Sequence, residues 1–185
     1  GTLTAMPVAT ATPEPSPTPE ASPTATQEII KVGPADFADD VNPLTGLKVS
    51  DPAILDRRPV MVKVANYPRW GRPHAGLSKA DIVFNYYTGQ ATNRFLALYY
   101  GQDADKIGPV RSGRYIDRWL VTMYQGTLTM VGAWAPVLDS ISGRLGNRLI
   151  QEGKDNCPAV CRLEQNEAGV FANSAEVSKY YGAKS

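Results

Sequence analysis

Proline decides what the first stretch of this chain can be. Residues 1–27 are mostly Thr, Pro, Ala and Ser with two glutamates, as in ATATPEPSPTPEASPTATQ. Each proline fixes φ and removes an N–H donor, so neither a helix nor a sheet ladder can run through the segment. The expectation is a stiff, extended spacer of polyproline II character. No basic residue precedes Lys31 and no aromatic precedes Phe37, so it has nothing with which to build a core. Its many hydroxyls suit it to carry O-linked glycans, as in mucin-like stalks. Such a segment is a tether, and a tether of this kind places the rest of the chain outside the cytoplasm, held away from a bacterial surface.

Residues 28–41 are transitional, and globular texture begins in residues 42–185 with the turn-rich NPLTGL. The 185 residues suffice for one medium domain plus a tail. With 19 basic and 18 acidic side chains the net charge is +1, which gives no bulk attraction to nucleic acid or an anionic membrane. No apolar run approaches the ~18 residues of a membrane span. Opening on Gly1, the chain is expected to be processed or to start from a cloning scar, with any signal peptide already gone.

Periodicity predicts an α/β domain. VMVKVA (60–65), DIVFNYY (81–87) and FLALYY (95–100) read as strands, the last two joined by a connection of hairpin length. Their near-continuous apolar character predicts central strands covered on both faces. Tyr115, Ile116, Trp119, Leu120, Met123 and Tyr124 share one helical face at about 100° per residue. Ser112 is the expected N-cap and Gly126 the stop. TLTMVG (127–132) reads as a fourth strand and residues 135–141 as a short helix. Asn173 or Ser174 caps a last helix to about Tyr181. The order β-β-β-α-β-α, an irregular cysteine-bearing stretch, then α, predicts a mixed sheet with flanking helices behind the Pro/Thr-rich tail.

IGPVRSGR (107–114) is the stretch richest in chemistry. Two glycines and two arginines lead into the predicted helix, whose free N–H groups receive anions, and Arg adds bidentate bonds to carboxylate or phosphate. Arg111, Arg114 and Arg118 fall on one side of the helical wheel. The alternative is a solvated basic face paired with carboxylates such as Asp105 and Asp117. In RPHAGLSKAD (72–81), His74 lies near Ser78 and Asp81 and is a weak candidate for a general base; a catalytic set would need these groups to converge. Its other reading is a loop residue bonded to backbone, with Gly76 permitting the turn. Asp103 and Asp105 in GQDADK lack the calcium-loop pattern and read as surface acids. The nine Tyr include four on strands, where alternation points half of them away from a core. Cys157 and Cys161 have a spacing that redox pairs seldom use, and zinc wants about four ligands. A disulfide is the first reading, two free thiols the second and a metal half-site the last. No metal or cofactor is expected.

Taken together, NPLTGL, RRPVMVKVAN, RPHAGLSKADIVF and NRFLALYYGQDADKIGPVRSGR, with CPAVCR and FANSAEV later, resemble the YerB-like lipoprotein family, specifically its N-terminal domain, over about residues 42–182. The domain is catalogued as one of unknown function. The resemblance implies a secreted, usually lipid-anchored bacterial protein and supplies no reaction. It also marks departures: relatives carry Glu where Asn85 and Gly89 stand, and a His-Asn pair near Gly169 and Val170. Relatives continue into a second domain, whereas this sequence stops at Ser185.

Three functions follow as expectations. The first is a non-catalytic extracytoplasmic binding or assembly module whose partner is an envelope glycan or protein, with no nucleic-acid partner. The second is an enzyme, or its relic, acting on envelope glycans or phosphorylated polymers, with Arg94, Arg111, Ser112 and Arg114 as the anion-binding residues. The third is a subunit of an extracellular filament that self-associates through its tail.

Overall fold

A computed structural model describes residues 36–67, 69–89 and 92–182, with Gly1 and Gly33 and without the side chain of Trp70. Val32–Ser185 forms one compact unit. The expected spacer, the O-linked glycans expected on it and the expected tail-mediated contacts lie outside the described residues.

The domain is α/β. Its main sheet has five strands in the order β2-β3-β1-β4-β5. They are β1 (Val60–Ala65), β2 (Ile82–Gly89), β3 (Thr92–Tyr99), β4 (Thr127–Met130) and β5 (Leu149–Gln151). β3 runs antiparallel to β1 and β2, whereas β4 and β5 lie parallel to β1. The sheet is therefore mixed, as predicted. β1 is its centre and is buried throughout. Alternation along β1 divides two cores. Met61 faces Leu96, Leu98, Leu128 and Met130 beneath α1 (Asp117–Met123) and α2 (Ala135–Leu145). Val60, Val62 and Val64 face Tyr99, Ile107 and Val110 beneath α3 (Ser174–Gly182). Asn173 caps α3 by accepting from Glu176 N at 3.1 Å.

Several expectations change. β2 is an edge strand, not a covered one: Val83 and Tyr87 are exposed. The cysteine-bearing stretch is not irregular but forms a second sheet, β6 (Val160–Arg162) against β7 (Val170–Ala172). The helix expected from Ser112 begins only at Asp117, with Ile116 at its cap. Its apolar face is not a core face: Tyr115 is 46% exposed, Ile116 43%, Trp119 47% and Met123 73%. Instead Val121 faces the core, with Leu120 and Tyr124 packed at its margin. Among the described residues no helix is long and apolar enough to cross a membrane.

Candidate functional site: an arginine-lined sheet edge

The site grows from how residues 107–114 are held. This segment inserts between the diverging C-terminal ends of β1 and β4. Ala65 N donates to Pro109 O at 2.9 Å and Arg111 N to Lys63 O at 2.9 Å. On the other side Val131 N donates to Arg111 O at 3.2 Å and Gly113 N to Gly132 O at 2.7 Å. Strand β7 backs it, with Val110 N donating to Val170 O at 2.7 Å. Backbone pairing on three sides thus fixes Arg111, Ser112 and Arg114 at the carboxyl end of the parallel strands, the usual ligand edge of open α/β sheets. Gly113 packs closely here: a Cβ would lie 2.5 Å from Met130 Sδ and 2.9 Å from Ile141 Cδ1, so these side-chain ends would have to move.

Arg94 reaches the same edge from the start of β3. One of its terminal nitrogens (Nη1) donates to Ser112 O at 2.5 Å. Burial first, then repulsion from Arg114 and Arg111, pulls its guanidinium down to about 10. Burial and the charge of Arg111 lower Arg114 as well. Arg111 donates to the carbonyl of Glu167 at 3.1 Å and to its carboxylate at 3.2 Å. Glu167 belongs to the β6–β7 turn, so the cysteine-bearing hairpin presents an acid to this edge. Cys157 and Cys161 are joined in a disulfide at the start of that hairpin.

Beneath the arginines lies a group that the sequence did not reveal. Lys63 and Asp117 are a fully buried ion pair with 3.3 Å between Nζ and Oδ1, both side chains 0% exposed. The Tyr86 hydroxyl bridges them, accepting from Lys63 and donating to Asp117. The other Asp117 oxygen accepts from Arg114 N at 2.6 Å. Burial pulls Lys63 down to about 8 against the pull of Asp117, and Arg94 and Arg114 lower it further. Burial also raises Asp117 against the opposing effect of Lys63. In both partners burial dominates over pairing. Asp117 therefore fills the place at the head of α1 that sequence reasoning gave to an outside anion. Any anion held here is held by guanidinium groups, not by the helix end.

The remaining candidates do not form a catalytic set. His74 Nε2 lies 2.7 Å from Ala65 O, with its ring edge-on to Phe95. Asp81 accepts instead from Asn42 Nδ2 and from the backbone N–H groups of Tyr100 and Gly101. No Ser/His/Asp set assembles in this loop. Asp103 pairs with Arg57 at 2.6 Å at the opposite end of the sheet. A cavity of 490 Å³ lies at that end, lined by Arg57, Arg58, Arg148 and Tyr181 among others. Arg57 is already engaged there by Asp103, Ser178 and two carbonyls. The three arginines of the edge are each half-buried. No group of three or more His, Cys, Asp or Glu among the described residues could hold a metal.

The chain belongs to the family described as "Protein of unknown function (DUF3048) N-terminal domain", which matches residues 44–184. A Bacillus subtilis (strain 168) protein named "Putative lipoprotein YerB" is 42% identical over 96 residues, covering 51% of this chain and 28% of that protein. The crystal structure of the YerB protein from Bacillus subtilis superposes with a TM-score of 0.67 at 28% identity, covering 78% of this chain and 49% of that one. This chain thus spans at most about half the length of the relatives it matches.

Proposed function

We propose that this chain is an extracytoplasmic binding module whose arginine edge holds an anionic group of the cell envelope. One observation carries the reading: Arg94, Arg111 and Arg114 converge at the carboxyl edge of the sheet, where Asp117 is buried and engaged by Lys63 and Tyr86 and the largely exposed Glu167 pairs with Arg111. Guanidinium groups gathered at one edge suit a carboxylate or phosphate, which they bind bidentately. A relative named as a lipoprotein, the Thr/Pro-rich start and the disulfide all support a place outside the cytoplasm. The test is calorimetric titration with inorganic phosphate and with galacturonate. Arg111→Ala should weaken binding about ten-fold, the worth of a charge-assisted hydrogen bond. An unchanged isotherm refutes the reading.

A second reading, an enzyme on envelope glycans or phosphorylated polymers, is favoured by the Lys63–Tyr86–Asp117 group. A lysine drawn down to about 8 beside a bridged phenol is an arrangement able to move protons near neutral pH. If so, the full chain depolymerises a uronate or phosphodiester polymer and Tyr86→Phe stops it. Absence of turnover by the wild type leaves the binding module.

A further inference from the structure

The exposed face of α1 calls for an occupant. Tyr115, Trp119 and Met123 follow one another at i, i+4 spacing, with Ile116 beside them, and all four are exposed. Arg114 and Arg118 form the adjoining row. Arg144 of α2 completes the group: the guanidinium carbons of Arg118 and Arg144 lie 4.8 and 4.6 Å from the Trp119 ring centre. Arg118 donates to Ser140 Oγ, and Arg144 to Thr122 Oγ1 at 3.4 Å. Among the described residues none of Arg114, Arg118 and Arg144 is in an ion pair. Of the acids on α1 and α2, Asp117 is buried and only Asp139 is exposed. A guanidinium stacked on an aromatic ring keeps its N–H edge free for a carboxylate. Trp134, 71% exposed, stands two residues beyond Gly132, whose carbonyl accepts from Gly113.

The stripe therefore starts at the arginine edge and runs down α1, cations in one row and aromatic faces in the next. Successive members of a row are about 5–6 Å apart. We propose that this stripe seats an anionic polysaccharide, a chain of uronic acid rings. Each ring offers an apolar face to an aromatic side chain and a carboxylate to an arginine. The inference rests on the anion-site reading and names its ligand: the first carboxylate sits among Arg94, Arg111 and Arg114, and the following rings lie along Tyr115 and Trp119. Charge complementarity selects the occupant, since an uncharged apolar partner would leave the stripe's cations unmatched.

The experiment titrates the full chain with galacturonate oligomers of one to six rings, followed by tryptophan fluorescence and calorimetry. A neutral oligosaccharide of six rings, inorganic phosphate and vesicles of anionic phospholipid serve as the other arms. Affinity should rise at least ten-fold from monomer to hexamer. Trp119→Ala, and separately the pair Arg118→Gln with Arg144→Gln, should bring the hexamer down to the affinity of the monomer. Flat affinity across chain length overturns the proposal, and so does equal binding of the neutral hexamer or tighter binding of vesicles. If Arg111→Ala has no effect on the monomer while Trp119→Ala still weakens the hexamer, the anion-site reading fails and the stripe stands. If Arg111→Ala weakens the monomer but length has no effect, the stripe falls and the anion site stands.

Discussion

Burying an ammonium group in the middle of a sheet costs several kcal/mol unless a counter-charge is buried with it. Lys63 occupies such a position, and Asp117 and Tyr86 are its answer. Lys63→Met leaves Asp117 alone in the core and should cost about 3–5 kcal/mol in urea unfolding. Adding Asp117→Leu should restore most of it, and a single variant within ~1 kcal/mol of wild type refutes the pairing. The pH dependence has a definite sign. Native Lys63 loses its proton near 8, whereas an unfolded lysine keeps its own to about 10.4. Between these values the unfolded state binds more protons, so wild-type stability rises with pH relative to Lys63→Met. Neither partner was legible. Lys63 sits inside VMVKVA and Tyr86 inside DIVFNYY, where strand reading absorbs both. A charge within a run predicted to be buried on both faces was the signal that a counter-ion must exist. It did not say that Asp117, 54 residues away, would supply it.

Elements were legible where their period was long. β1 matches its predicted bounds, and the strands of the β2–β3 hairpin shift by one to three residues. β5, β6 and β7 have three residues each, too few for alternation to show. The α1 face was read correctly as apolar, but periodicity reports a face and not what covers it, and Tyr115, Ile116, Trp119 and Met123 are exposed. Loop 72–81 shows how elements are pinned to one another. Ala75 and Gly108 exchange two backbone hydrogen bonds of 2.9 and 3.1 Å, tying this loop to the segment that carries the arginines. Gly76 permits the exchange: its φ is +75°, and a Cβ would meet Lys106 O at 2.5 Å. Gly76→Ala should therefore cost about 1–3 kcal/mol through left-handed strain and overpacking. It should also weaken anion binding, since the displaced backbone leads directly into residues 107–114. A variant with unchanged midpoint and unchanged affinity breaks that linkage.

At the scale of the whole molecule, the two ends of β1 do different work. Before its start, Arg57 is tied to Asp103 at 2.6 Å and to Ser178 of α3. Ser174 donates to the same Asp103 and accepts from Ala104 N. This node clamps α3 to the sheet. Beyond the end of β1, Arg94, Arg111 and Arg114 are half-buried at the other edge, where Arg94 donates to Ser112 O. Arg111 in particular pairs with a largely exposed Glu167, a contact of small stabilising value. Six residues at ~3.3 Å each separate the two ends by about 20 Å, beyond the range at which substitutions usually couple. Sequence showed both sets of arginines but could not sort them, since the sorting depends on which carboxylates the fold brings near each one. The expected outcome is a clean division. Arg57→Ala should lower unfolding free energy by about 1.5–3 kcal/mol, as for hydrogen bonds to a charged group, and leave galacturonate affinity intact. Arg111→Ala should change stability by less than ~1 kcal/mol and weaken the affinity. The double variant should show the sum of both effects within ~0.5 kcal/mol. Coupling larger than that would mean that the clamp and the arginine edge communicate through β1, and that the two ends are not separate devices.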